Sequence, residues 1–263
     1  MSPRFEINRR RFLRVAGVAA STLPLAGCDM LDGILSSNSP VRDALASANG
    51  LTYRVQRLIA GDALAPEFSE SEIRQGQRPN GSTDPDGADY LAMKAQSFST
   101  YRLSVGGLVT TPLTLSLDEL RAMPARTQIT RHDCVEGWSC IAKWTGVPLA
   151  RVLDAAGVKP EARYVVFQCY DRMDLGLQGP VPYYESIDLL DARHPQTILA
   201  YGCNNDALSV ANGAPLRLRV ERQLGYKMPK YIRSIELAST LAPYGGGKGG
   251  FWEDVGYDWY GGM

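Results

Sequence analysis

From about residue 95 the chain is written in short apolar runs, several with a two-residue period, and this pattern limits the fold more than any other feature. Tyr101, Leu103 and Val105 alternate with polar neighbours. Tyr164–Cys169 and Thr197–Tyr201 are short apolar stretches suited to buried strands. Leu216, Leu218 and Val220 alternate with Arg217, Arg219 and Glu221, which predicts a half-exposed strand with its charges in water. Ile232, Ile235 and Leu237 suit another strand. The helical signals between them are short. Ser116-Leu117-Asp118-Glu119 has the form of a capping box. Val147–Ala156 has helical spacing and stops at Gly157. The expectation is a mixed α+β, β-rich domain without internal repeats.

The part before residue 95 reads differently. Asn8-Arg9-Arg10-Arg11-Phe12-Leu13-Arg14 is a basic stretch with adjacent arginines, matching the twin-arginine export pattern. A weakly apolar segment follows from Val15 to Leu25, too short and too rich in Gly and Ala to span a membrane. It closes on Leu25-Ala26-Gly27-Cys28, which resembles a bacterial lipobox with Cys28 as the lipidated residue. The division expected is a signal over 1–27, a Ser/Asn/Gly-rich tether over 28–39 and one folded domain over 40–263. Within the last, Val41, Leu45, Leu51, Val55, Leu58 and Ile59 are interrupted by Asn49-Gly50, which predicts two short helices. Residues 61–90, rich in Pro, Gly, Asp and Asn, predict an ordered loop. The expected place of the protein is the periplasm, anchored to a membrane by Cys28.

Charge excludes one class of partner. The whole chain carries 28 basic and 28 acidic residues, and removal of residues 1–27 leaves 23 and 27, a net charge of −4. Nothing in that balance attracts nucleic acid, and a basic cluster inside the mature part needs a local reason.

Cysteine usage leaves two readings. After Cys28 there remain Cys134, Cys140, Cys169 and Cys203, an even number that in an exported protein fits two disulfides. Cys169 and Cys203 instead lie in apolar runs where a free thiol behaves as a small hydrophobe. Cys134 stands in Arg131-His132-Asp133-Cys134-Val135-Glu136-Gly137-Trp138-Ser139. A cysteine beside Arg and His is placed to be a thiolate, a soft metal ligand or a nucleophile. Two histidines in the chain make a zinc site a poor fit.

The same segment resembles the molybdenum-ligating stretch of the sulfite oxidase family of molybdopterin oxidoreductases. Four further stretches resemble that family in the same order: Pro182–Leu189, Leu199–Asn204, Asn212-Gly213-Ala214-Pro215-Leu216-Arg217, and Gly225-Tyr226-Lys227-Met228-Pro229-Lys230-Tyr231-Ile232. Together they span roughly residues 100–240, and the exported bacterial methionine sulfoxide reductase catalytic subunits are the most similar subgroup.

The resemblance implies a sulfite oxidase-type fold without the C-terminal immunoglobulin-like dimerisation domain of the animal enzymes, and hence a monomeric catalytic subunit. It implies Mo-molybdopterin, with Cys134 as the protein's thiolate to the metal. Asn80, Cys169, Asn212, Arg217, Lys227, Met228, Pro229 and Lys230 are the implied cofactor contacts. Arg217, Lys227 and Lys230 would bring charge to the pterin phosphate, and Gly225 would let backbone come close to it. Tyr183 is the implied donor on the substrate side, with Glu136 beside the metal and His132 as a hydrogen-bonded structural group. The implied reaction is two-electron oxygen-atom transfer, the reduction of small or protein-bound S-oxides or of N-oxides. Electrons would come from a membrane cytochrome b or a periplasmic cytochrome. Sulfite dehydrogenation is the alternative within the family, for which Arg131 and Arg172 are the available anion-binding arginines. The alternative outside it is a cofactor-free binding or scaffold protein with Cys134–Cys140 and Cys169–Cys203 disulfides.

Overall fold

The computed structural model describes residues 40–61, 63–174 and 179–263, so the expected signal, lipidation site and tether lie outside the described residues. Contacts divide the chain into two units, Met1–Leu58 and Ile59–Met263. The described part of the first lies in α1 (Pro40–Ala60), a single 21-residue helix where two were expected. Asn49-Gly50 lacks the strength to break it, since a glycine inside a helix costs only about 1 kcal/mol relative to alanine. The Thr52 hydroxyl also bonds back to the Ala48 carbonyl at 3.0 Å. No described helix is long and apolar enough to cross a membrane.

In the second unit the expected loop over 61–90 is irregular apart from a single 3-10 turn at Glu70–Glu72 and the start of α2 (Ala88–Ala95). Two sheets follow. The first is ordered β2 (Leu113–Ser116), β1 (Arg102–Gly107), β10 (Ile232–Ala238), β5 (Tyr164–Asp174), β6 (Pro180–Asp188). The second is ordered β3 (Arg126–Cys134), β4 (Trp138–Pro148), β7 (Ile198–Cys203), β8 (Asp206–Ala207), with β9 (Arg217–Arg219) also paired to β7. The expected capping box is formed: Ser116 Oγ accepts from the Glu119 amide, and α3 (Leu117–Ala122) follows. The next helix is α4 (Leu149–Ala156), stopped at Gly157 as expected. Its predicted first turn at Val147 belongs instead to β4. Short helices α5 (Leu189–Arg193) and α6 (Phe251–Asp254) and a 3-10 turn at Gly225–Lys227 complete the described elements.

The main core draws Leu103 and Val105 from β1, Val165 and Phe167 from β5, Ile235 and Leu237 from β10, Leu199 from β7, Leu218 from β9, and Val152 and Leu153 from α4. Leu103, Val105 and Leu218 are positions the two-residue period marked; Val165, Phe167 and Leu199 come from the short apolar runs, and Val152 and Leu153 from the expected helix. The partner positions Arg217, Arg219 and Glu221 do not face water, however. All three are buried, with exposures of 2%, 0% and 3%, which corrects the half-exposed strand. Arg219 is matched by Glu221 at 2.5 Å, and both guanidinium groups stack on the buried Trp144 ring at 4.9 and 4.5 Å. Internal pairing and cation–π contact replace hydration there.

Candidate active site

Cys134 ends β3, and the turn after it brings β4 back with Cys134 opposite Trp138. The thiol is half-buried in a small cleft open to solvent. Asn80, Tyr183, Met228, Pro229 and Lys230 line that cleft with it, together with Ser82, Glu136, Asp171, Met173, Tyr226 and Trp252. Segments far apart in sequence thus meet around one thiol.

The neighbours expected to activate that thiol are elsewhere. Arg131 points away and pairs with Asp133 at 2.9 Å. His132 is buried, with Nδ1 accepting from Arg219 Nη1 at 2.9 Å and its ring tilted against Trp138. Burial, then Arg219, Arg217 and Lys230, hold its pKa well below the usual imidazole range. It is a neutral structural group. The Cys134 thiol itself is pushed up by burial; the Glu136 carboxylate raises it too, while Arg78 and the amides of Glu136 and Val135 act the other way. The protein alone keeps this sulfur protonated, and a bound metal ion is what deprotonates a coordinating thiol. Among the described residues no group of three or more His, Cys, Asp and Glu is placed to hold a metal. The described residues thus offer a metal at Cys134 no second protein ligand of these types in a group of three or more.

Behind the cleft lies a buried positive patch. Lys230 Nζ reaches the carbonyls of Ser82 and Ala211, and Arg217 Nη1 donates to the Asn212 carbonyl at 3.0 Å. Arg217 Nε and Nη2 and Asn212 Oδ1 are buried without a partner. Gly213 knits these residues together: at φ +111°, a Cβ there would lie 3.0 Å from Lys230 Cβ and 3.2 Å from Arg217 Cβ. Burial, and next the mutual repulsion of the cations, lowers Lys230 to about 7 and Arg217 to about 9. Glu221 is taken by Arg219, and among the described residues Asp171 acts on Lys230 only through space, so two cations and unsatisfied donors remain without a bonded carboxylate. Such a patch is complete only with an anion. A pterin phosphate fits it.

Three expected contacts are corrected. Lys227 is fully buried with Nζ at 2.5 Å from both Glu185 and Glu253, so its charge is closed inside the protein and does not reach the cleft. Gly225 is close-packed as expected, but against a side chain: a Cβ would sit 2.4 Å from His132 Nε2. Cys169 packs with Tyr183 and Phe251 and faces a neighbouring cleft. Tyr183 does line the Cys134 cleft, though its hydroxyl already donates to the Tyr226 carbonyl at 3.0 Å. Burial holds its proton on.

Arg131 and Arg172 do not converge; each lines a different cleft, and no described arginine lines that of Cys134. Ser82 and Asp171 escaped the sequence reading. Ser82 Oγ donates to Asp171 Oδ2 at 2.6 Å across 89 positions of chain, a link no local pattern announces. All four described cysteines are free, which removes the expected disulfides of the scaffold alternative. Cys140 donates instead to Gln77 Oε1.

The family described as "Oxidoreductase molybdopterin binding domain" matches residues 90–243. A putative protein-methionine-sulfoxide reductase subunit, YedZ1, of Azospira oryzae is 37% identical over 255 residues, covering 97% of this chain and 87% of that protein. The protein-methionine-sulfoxide reductase catalytic subunit MsrP of Campylobacter jejuni is 35% identical over 175 residues, 61% of this chain and 59% of that protein. Among solved structures, the sulfane dehydrogenase SoxCD of Paracoccus pantotrophus gives a TM-score of 0.47 at 21% identity, covering 68% of this chain and 46% of that one. The chain belongs to the family of oxidoreductases with a molybdopterin-binding domain.

Proposed function

We propose that this molybdopterin oxidoreductase reduces S-oxides of the methionine sulfoxide type, free or in proteins, and takes its electrons from a membrane or periplasmic redox protein. The observation that carries the reading is the wall of the Cys134 cleft. Met173, Val135, Trp252, Tyr226 and Tyr183 give it an apolar, aromatic face suited to a thioether. Its charged lining is Glu136 and Asp171, with Lys230 as the one described cation, on the side of the anion patch. A neutral sulfoxide enters such a cleft readily. Sulfite would meet two carboxyl groups in the lining, with Arg78 at the edge already paired to Glu136 at 3.8 Å, which disfavours the dehydrogenase alternative. The names of the two relatives support the same substrate class.

When bound, the molybdenum–molybdopterin group supplies two-electron redox chemistry and a place for oxygen to be exchanged. The chain's own residues bind and orient around it. Cys134 would offer the protein thiolate, Lys230 and Arg217 would hold the phosphate beside Asn212, and Asn80, Met228 and Pro229 would shape the wall. Tyr183 and Tyr226 pack the substrate side and exclude water. Export of the folded holoenzyme by the twin-arginine signal, with Cys28 as lipid anchor, fits a cofactor inserted before translocation.

The test is a steady-state assay of the purified holoenzyme with a reduced dye as donor. Methionine sulfoxide should be reduced with kcat/KM in the ordinary enzyme range, above about 10⁴ M⁻¹s⁻¹. Faster oxidation of sulfite with an electron acceptor would overturn the reading. For localisation, metabolic labelling with a fatty acid should mark wild type and not Cys28→Ser.

A further inference from the structure

Asp171 stands between two clefts. It is the one described residue that lines both the Cys134 cleft and a second one formed by Asp89, Cys169, Arg172, Pro182 and Arg233. Asp89, Arg172 and Arg233 are exposed, so the second cleft opens to water, whereas Asp171 is 5% exposed. Its Oδ2 accepts from Ser82 Oγ, and its Oδ1 is buried with no partner. A buried carboxylate oxygen without a donor is costly, and a proton removes that cost.

We propose that Asp171 relays protons from the second cleft into the Cys134 cleft, where S-oxide reduction consumes them; this rests on the function proposed above. In that reaction the S–O bond breaks and sulfur gains an electron pair. Two electrons arrive from the redox-protein donor, and the oxygen takes two protons and leaves as water. Asp171 gives a proton on the cleft side and regains one from the second cleft, twice per turnover. The groups facing it permit both states. Burial raises its pKa to about 6, and Lys230 draws it partly back. Cys169, Tyr183, Tyr90 and Tyr231 feel its charge, and each of them stays protonated through neutral pH. No described arginine pairs with it to fix it as a carboxylate.

Asp171→Asn tests this cleanly, because an amide oxygen can still accept from Ser82 but cannot carry the proton. The variant holoenzyme should keep its pterin, metal and KM, lose kcat by about 10²-fold, and lose the inflection near pH 6 in the rate profile. Asp171→Glu should recover part of kcat. Independently of turnover, carboxyl-carbon NMR of aspartate-labelled protein should show one group titrating near pH 6 that is missing in Asp171→Asn. Proton uptake on chemical reduction of the holoenzyme should also be slower in the variant. Wild-type kcat and pH profile in Asp171→Asn, or no aspartate titrating above pH 5, would overturn the relay. If the wild type reduces no S-oxide, the proposed function fails, and the NMR titration and proton uptake still decide the role of Asp171.

Discussion

Lys227 and Lys230 are near neighbours in the chain, both are buried, and their surroundings are opposite. Lys227 is clasped by Glu185 and Glu253. Lys230 donates to backbone carbonyls and lies over the Tyr231 ring, with Arg217 lowering and Asp171 raising its pKa. A protein closes a buried charge when it serves the fold and leaves it open when a ligand is to complete it. By this criterion Lys227 belongs to the architecture, and the Asn212–Arg217–Lys230 patch is the one that would accept a ligand, a difference the two lysines do not show in sequence.

Breaking the closed side should have the largest effect. Lys227→Met leaves two carboxyl groups buried without their cation. It should destabilise the unit by about 3–5 kcal/mol, read as a lower urea midpoint, with the same loss with or without cofactor. The open side should behave differently. The pKa of Lys230 is lower in the folded than in the unfolded chain, so between about pH 7 and pH 10.5 the unfolded state holds the extra proton. The stability of cofactor-free protein should therefore rise with pH across that window, by on the order of 3 kcal/mol relative to Lys230→Met. Equal slopes would remove the distinction between the two lysines.

Asp171 sharpens the contrast from the acid side. Its pKa is higher in the folded than in the unfolded chain, so stability is full below about pH 3.8 and falls as pH rises to about 6. Asp171→Asn should be more stable than wild type above pH 6 by on the order of 2 kcal/mol, and the advantage should vanish at pH 4. The smallest effect expected is from inorganic phosphate. At about ten times its Kd it should stabilise cofactor-free wild type by about 1 kcal/mol, a few degrees in Tm. Arg217→Met and Lys230→Met should lose this gain.

The contrast also marks what sequence can carry. Two-residue alternation placed Leu103, Val105, Leu216 and Leu218 in the core because burial of alternate side chains is a local property of a strand. The same rule failed at Arg217, Arg219 and Glu221, since alternation reports that two faces differ, not that one is wet. Trp144, whose ring takes both arginines, lies on another strand. Cys134 was legible because its setting is short and dense in polar residues. The reason given for its reactivity was not, because Arg131 and His132 turn to Asp133 and Arg219. Lys227 could not be told from Lys230, since its partners lie 42 and 26 positions away. Asp171 and Ser82 left no signal at all, their meeting being a product of the tertiary fold.

The central claim is that Cys134 and the open cationic patch together hold a molybdopterin cofactor. The most direct measurement is molybdenum and pterin content of the protein purified from its native host, with X-ray absorption at the metal, in wild type and Cys134→Ser. About one molybdenum and one pterin per chain, and one sulfur neighbour fewer at the metal in the variant, is the predicted result. Folded wild type without metal and pterin, or an unchanged sulfur shell in Cys134→Ser, would contradict it.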